Sequence, residues 1–228
     1  MTLHNFIFGV YPYIALTVFF LGSLSRFDND QCSWKSDSSQ LLSKSGMRMS
    51  SNLFHIGVLA VFGGHFVGFL TPHAVFKALG VSDMGHQYLA IIAGTVFGLS
   101  ALVGGAMLWV RRMFNQRISA TSRGSDKFVL TWLMLTLILG LSTIPFSLGH
   151  ASHADASVMM ALIDYVQSIV LLNPEPSMLL NVDPVYKTHI FFGLTVFLVF
   201  PFTRLVHIWS APIGYLGRAY QIVRSKRV

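Results

Sequence analysis

Charge is scarce in this 228-residue chain. Asp, Glu, Lys and Arg together make up 11% of the residues, less than half of the roughly 25% found in an ordinary soluble domain. So few charges cannot cover a water-facing surface, which argues against a soluble globular protein. Disorder is excluded too, because disordered chains are poor in apolar residues, whereas 53% of these residues are hydrophobic. The composition is typical of a membrane protein.

Cysteine is almost absent, with Cys32 the single example. One cysteine cannot form an internal disulfide bond, and it cannot hold an iron–sulfur cluster, which needs about four ligands. Covalent attachment of c-type haem through a C-x-x-C-H motif is also excluded. We therefore expect Cys32 to be a free thiol in a polar loop.

Long apolar runs, by contrast, are abundant. Five stretches carry at most one charge and approach the roughly 20 residues that cross about 30 Å of hydrocarbon as a helix. They are Asn5–Ser25, Asn52–Pro72, Tyr88–Val110, Phe128–Ser147 and His189–Trp209. Because backbone hydrogen bonds must close internally in lipid, we predict an all-α membrane protein with five transmembrane helices. No linker or repeat divides residues 1–228, which predicts a single integral-membrane domain.

A shorter apolar segment, Val158–Leu172, has hydrophobic residues at helical spacing. It contains Asp164 and is too short to cross a bilayer. These features predict an amphipathic helix that lies on the outer membrane interface.

Basic residues are distributed unevenly among the loops. Thirteen lie after the first and third predicted spans and in the C-terminal tail, against two, Lys77 and Lys187, in the other loops. The positive-inside rule therefore places the N-terminus outside the cell and the C-terminus in the cytoplasm. We expect the protein to lie in the cell membrane. Since the basic residues flank apolar spans, the net charge of +7 indicates no nucleic-acid partner. We expect the loop Arg26–Ser50 and the tail, residues 215–228, to bind partner subunits, and the tail also to attract anionic membrane lipid.

Acidic residues are missing from all five predicted spans, but histidines are present. A proton-translocating chain of carboxylates is therefore not expected, nor is a transporter with charged coupling residues. The second predicted span contains His55 and His65, and the fifth contains His189 and His207. Ionisable side chains within a membrane are rare and mark functional sites.

These four histidines form two natural pairs. The second and fifth spans run antiparallel, so His55 and His207 lie near the cytoplasm, and His65 and His189 lie toward the outside. Each pair could bind one haem iron from opposite faces, giving two haem b groups within a four-helix-type core. The alternative is that some of these histidines are only hydrogen-bonded or interfacial groups.

The spacing of the pairs is unequal. Ten residues separate the histidines of the second span, which is roughly 15 Å of helix, and eighteen separate those of the fifth, which is roughly 27 Å. A bend at Pro201, together with helix tilt, is needed to absorb the difference.

Around these histidines the sequence resembles a known family, the gamma subunit of respiratory nitrate reductase, which is its membrane-anchored cytochrome b. The matching segments are Ser51–Gly57 (SNLFHIG), Gly64–His73 (GHFVGFLTPH), Leu141–Ser147 (LSTIPFS) and Phe200–Arg224 (FPFTRLVHIWSAPIGYLGRAYQIVR). The likeness covers nearly the whole chain and weakens between His150 and Tyr186.

The resemblance implies the same four haem ligands, with His55 and His207 on the inner haem and His65 and His189 on the outer one. It implies quinol oxidation near the outer haem, at a site lined by Gly64, His65 and the start of the third span. It also implies two cytoplasmic partners, an iron–sulfur (beta) subunit and a molybdenum (alpha) subunit that reduces nitrate, so the nitrate-reducing site is not on this chain.

His86 departs from the family pattern, in which a lysine stands at this position. Both side chains can donate a hydrogen bond to a quinone oxygen, and histidine can also accept a proton near neutral pH. We therefore include His86 in the predicted quinol site; the alternative is that it is only an interfacial histidine.

Three arginines lie at the depth where haem propionates would emerge. Charge-assisted pairing with a propionate is predicted for Arg111, Arg112 and Arg204, the last of which is close enough to the end of its span to reach the interface.

Two other functions compete with a nitrate reductase subunit. The first is a dihaem cytochrome b that serves a different quinone-linked reductase, acting on a sulfur compound or a heterodisulfide. The second is a haem-free membrane anchor or transporter.

Overall fold

The computed structural model describes residues 2–34, 38–39, 42–43, 45–210 and 217. All regular elements within these residues are helical. Five helices are long and apolar enough to cross a membrane. The prediction of an all-α protein with five candidate membrane spans is therefore confirmed. The predicted tail, residues 215–228, lies outside the described residues except for Gly217.

We number the helices in chain order. The five long ones are α1 (Leu3–Asn29), α2 (Met47–Leu70), α4 (Asp83–Phe114), α6 (Gly124–Ser152) and α8 (Pro184–Val199). The shorter ones are α3 (His73–Ala78), α5 (Gln116–Thr121) and α7 (Ser157–Val170). Local signals explain the boundaries: the Ser82 hydroxyl caps α4 by accepting the Gly85 N–H at 3.0 Å, as expected of a serine at this position.

Four of the long helices pack side by side in a closed ring. Within the described residues α2 packs on α4, α4 on α6, α6 on α8, and α8 on α1. The rings of Phe62 on α2 and Phe197 on α8 are 6.5 Å apart, so the two ends of this ring of four helices meet. Helix α1 lies outside it, against α8.

Glycines allow the closest of these contacts. A Cβ atom on Gly57 would lie 2.4 Å from the backbone nitrogen of Ala101, and one on Gly104 would lie 2.4 Å from that of Phe54. Small residues at such crossings let backbones approach within a membrane. The α2–α4 pair is therefore a tightly fixed unit, and it carries His55 and His65.

The fifth span is not one straight helix, which corrects its predicted extent to Trp209. Helix α8 ends at Val199, a 3₁₀ turn covers Phe200–Phe202, and a second 3₁₀ helix covers Arg204–Ser210. Pro201 has no N–H to continue the helix, and Thr203 is extended, with φ −123° and ψ 178°. The expected bend at Pro201 is therefore a complete break.

The predicted amphipathic helix Val158–Leu172 is confirmed as a helix, α7. Its apolar side chains Leu162 and Tyr165 belong to a buried cluster that also contains Phe8 of α1. The Tyr165 hydroxyl donates to the Phe8 carbonyl oxygen at 2.9 Å, and burial raises the pKa of this hydroxyl. Helix α7 therefore packs against the end of the bundle.

Candidate functional site

The structure brings both predicted histidine pairs together. His55 on α2 and His207 on the second 3₁₀ helix have ring centroids 6.5 Å apart, with their planes at 77°. His65 on α2 and His189 on α8 have ring centroids 6.1 Å apart, with their planes at 54°. Each pair thus joins the two spans that close the ring of helices.

Hydrogen bonds fix which nitrogen of each imidazole carries the proton. In all four histidines Nδ1 lies within hydrogen-bond distance of a backbone carbonyl oxygen, which can only accept, so Nδ1–H is the donor. For His55, His65, His189 and His207 in that order, the acceptors are the carbonyls of Ser51, Val61, Thr136 and Arg204, at 2.7, 2.8, 3.1 and 2.5 Å. The neutral tautomer that results has an unprotonated Nε2, which is the form that binds a metal.

The distance within each pair fits an iron atom between the rings. A metal bound about 2 Å from one nitrogen of each imidazole separates the ring centroids by roughly 6.3 Å, between the 6.1 and 6.5 Å observed. Among the described residues no cluster of three or more His, Cys, Asp or Glu could hold a bare metal ion. Two histidines alone suit a metal that brings its other ligands with it, as haem does.

The surroundings of the pairs also have room for a macrocycle. The side chains of His55 and His65 are exposed along α2, although these positions lie within an apolar span. A Cβ atom on Gly63, Gly64 or Gly193 would meet no other atom within 4 Å. The donor set and the open space beside it therefore both fit haem.

Helix α6 provides a socket for His189. The Thr136 carbonyl oxygen accepts the Nδ1–H at 3.1 Å. One turn later, a Cβ atom on Gly140 would lie 2.9 Å from Cε1 of the same ring. A hydrogen bond thus holds one edge of the imidazole while the missing side chain at Gly140 leaves room for its face.

The predicted quinol residues do not form one contact group. Gly64 and His65 lie on the exposed face of α2. His86 is 5% exposed and packs on Phe76 of α3, with ring centroids 4.0 Å apart. Among the described residues no hydrogen bond or ring contact joins His86 to His65. The membership of His86 in a quinol site remains a prediction.

The predicted propionate arginines Arg111 and Arg112 each bind protein groups. Arg112 forms a buried ion pair with Asp126, with a shortest N–O distance of 3.1 Å. The Arg111 guanidinium donates to Ser39, Ser43 and Ser45 in the loop between α1 and α2. Arg204 begins the 3₁₀ helix that carries His207. A role in binding propionates stays a prediction for all three.

Several residues that hold the histidines were not identified from the sequence. They include Thr136 and Gly140 on α6 and Arg26 at the end of α1, which donates to carbonyl oxygens in the break after α8. Carbonyl acceptors leave no trace in residue type, and Gly140 is one of 19 glycines. Only the tertiary contacts distinguish these positions.

Comparison with known proteins gives a consistent family. Residues 4–226 match the family model described as nitrate reductase gamma subunit. The chain is 49% identical to the respiratory nitrate reductase 2 gamma chain of Escherichia coli (strain K12), over 99% of this chain and 98% of that protein. It is 38% identical to the nitrate reductase gamma chain of Bacillus subtilis (strain 168), over 96% and 97%.

A more distant likeness connects the chain to another type of complex. It is 28% identical to an Hdr-like menaquinol oxidoreductase cytochrome b-like subunit of Archaeoglobus profundus, over 70% of this chain and 47% of that protein.

Proposed function

The chain belongs to the nitrate reductase gamma subunit family, and from this premise we propose that it is the membrane cytochrome b subunit of a respiratory quinol:nitrate oxidoreductase. It is a multi-pass protein of the cell membrane. It carries electrons from quinol at the outer face to a cytoplasmic iron–sulfur (beta) subunit, and a molybdenum (alpha) subunit reduces nitrate. The observation that carries this proposal is the close approach of the two histidines within each pair, together with the unprotonated Nε2 of each ring.

Each pair would hold one haem b: His65 and His189 would bind the outer haem, and His55 and His207 would bind the inner one. Haem iron between two histidines is a one-electron carrier, which is the chemistry needed to accept electrons singly from a two-electron donor. The protein orients the ligands: the backbone carbonyls fix the tautomer and rotation of each ring, and hydrogen bonds of this kind raise ligand basicity.

The basic loops support an orientation with the N-terminus outside. Arg111 and Arg112 at the end of α4 and Arg123 before α6 lie at the end of the bundle that carries His55 and His207. The positive-inside rule assigns this end to the cytoplasm. Electrons therefore leave on the side where the basic loop Arg26–Ser50 and the tail bind the partner subunits, and residues 1–228 act as one domain.

Protons from quinol are released on the outer side. The described parts of α2 and α8 contain no carboxylate, so no chain of acids leads inward along the helices that carry the histidines. His86 is the proposed acceptor of a quinol proton, at the outer end of α4. Charge separation then arises from electron transfer alone.

The test is the haem content and the partners of the purified protein. Reduced-minus-oxidised spectra should show b-type bands, and extraction should give two haems per chain. Absence of a b-type band would support the haem-free anchor. Two haems with a co-purifying heterodisulfide reductase subunit, in place of nitrate reductase subunits, would support a dihaem cytochrome b that serves that other quinone-linked reductase.

We expect His86→Ala to weaken quinol oxidation while both haems stay in place. Loss of one hydrogen bond of about 1.5 kcal/mol should lower kcat/KM for quinol roughly tenfold. His86→Lys should retain most of the activity, because an ammonium group can donate to the same oxygen. The control is His153→Ala, at an exposed position. Normal quinol kinetics in His86→Ala would remove His86 from the site.

A further inference from the structure

Helix α1 contains none of the four paired histidines, yet one of its side chains reaches the break that precedes His207. The Arg26 Nη1 group donates to the carbonyl oxygens of Pro201 at 2.6 Å and of Thr203 at 2.8 Å. Its Nε donates to the Ser33 hydroxyl at 3.0 Å, and Nη2 donates to the Ser33 carbonyl at 3.2 Å. A single guanidinium group thus connects the loop after α1 with two carbonyl groups in the break of the fifth span.

The break creates a need for such a donor. Where a helix ends, its last carbonyl groups lose their intrahelical partners, and Pro201 and Thr203 are both buried. A buried carbonyl without a hydrogen bond destabilises the folded state, because the group has lost its bonds to water. Hydrogen bonds from a charged donor are roughly twice as strong as neutral ones, so Arg26 stabilises this conformation over a continued helix.

Other residues of α1 contact both ends of the segment from Phe200 to Trp209. A Cβ atom on Gly22 would lie 2.8 Å from Cγ of Pro201, so these two residues are in close contact. Phe19 packs against Phe200 and Trp209, with ring centroids 4.8 and 5.5 Å away. His207 lies between these two contacts along the chain. The position of its ring therefore depends on α1.

We propose that Arg26 is a positioning residue for His207, and that α1 acts through it to set the ligand geometry of the inner haem. This rests on the proposed function, because it requires His207 to bind a haem. Arg26 acts through the Pro201 and Thr203 carbonyls, which fix the start of the 3₁₀ helix Arg204–Ser210. Without these hydrogen bonds the His207 ring moves relative to His55, and the iron loses a well-aligned ligand.

The experiment compares the low-spin ferric signals of the two haems by electron paramagnetic resonance in the intact complex. Arg26→Gln should convert much of the inner haem to high spin and leave the outer haem unchanged. Arg26→Lys should restore part of the low-spin signal, because an ammonium group can still donate to two carbonyls but lacks the planar fork. Gly22→Ala should perturb the same haem with Arg26 intact, by pushing Pro201 away.

Arg117→Gln is the matched control. It makes the same charge change at an exposed position after α4, and both haem signals should remain as in the parent protein. If Arg26→Gln and Gly22→Ala leave the inner haem unchanged, or if Arg26→Gln removes both haems together, the proposal is overturned. A parent protein without haem, or a normal inner haem in His207→Ala, overturns the proposed function itself.

Discussion

Replacing either member of a histidine pair with alanine should remove the same haem. His65→Ala and His189→Ala should each lose the outer haem and give matching spectra, with haem content falling from two per chain to one. His55→Ala and His207→Ala should share a different spectrum, without the inner haem. The reason is that each iron needs both ligands, and loss of one leaves a site that binds haem weakly or in a high-spin form.

Function should divide in the same way. In His65→Ala and His189→Ala, quinol should no longer reduce the inner haem, because the point of entry is lost. In His55→Ala and His207→Ala, quinol should still reduce the outer haem, but nitrate reduction by the complex should stop. Stopped-flow absorbance with a quinol analogue measures both. Matching spectra for His65→Ala and His207→Ala would contradict the pairing and the antiparallel arrangement beneath it.

A second large loss of haem is expected from a change at Gly140, which is not one of the proposed haem ligands. Gly140→Ala places a Cβ atom 2.9 Å from Cε1 of His189 and 3.4 Å from both ring nitrogens. The ring cannot move aside freely, because Nδ1 is bound to the Thr136 carbonyl and Nε2 is the nitrogen proposed to bind the haem iron. Changes to groups that orient a ligand typically lower metal affinity roughly 10–100-fold. We expect loss of the outer haem, measured by haem content and by titration of the apoprotein with haem.

A matched change on the same helix separates this effect from helix propensity. A Cβ atom on Gly149 would meet nothing within 4 Å, so Gly149→Ala should keep both haems. Retention of a normal outer haem in Gly140→Ala would mean that His189 is not held in the socket described for α6.

The fold was largely predictable because a membrane simplifies the sequence signal. A helix that crosses hydrocarbon must be long and apolar throughout. Each of the five predicted stretches overlaps a long helix, although the fifth, His189–Trp209, is helical in this way only up to Val199. The error was local: hydropathy continues smoothly through Phe200–Phe202, whereas the hydrogen-bond ladder does not. Pro201 signalled a disturbance, but the carbonyl groups of the break are bound by Arg26, which lies 175 residues away from Pro201 in the chain.

The proximity of the histidine pairs was predictable for a similar reason, whereas their role as haem ligands stays a prediction. Histidine is costly within a membrane, so His55, His65, His189 and His207 stood out, and the antiparallel order of the spans fixed their pairing. The groups that hold the imidazole rings could not be recognised from the sequence. Backbone carbonyls are present at every residue, and the importance of Gly140 follows from the position of a side chain on another helix.

The break after Val199 also changes what sets the directions in which His189 and His207 leave the fifth span. In an unbroken helix each residue adds about 100°, so the direction of one histidine would dictate that of the other. Ten residues lead from His189 to Val199, the same number that separates His55 from His65. Beyond Val199 the chain continues as 3₁₀ segments on either side of the extended Thr203, so this regular rotation is not maintained. The break thus makes the two directions independent of each other: that of His189 follows from α8 and its contacts with α6, and that of His207 follows from the segment that α1 contacts.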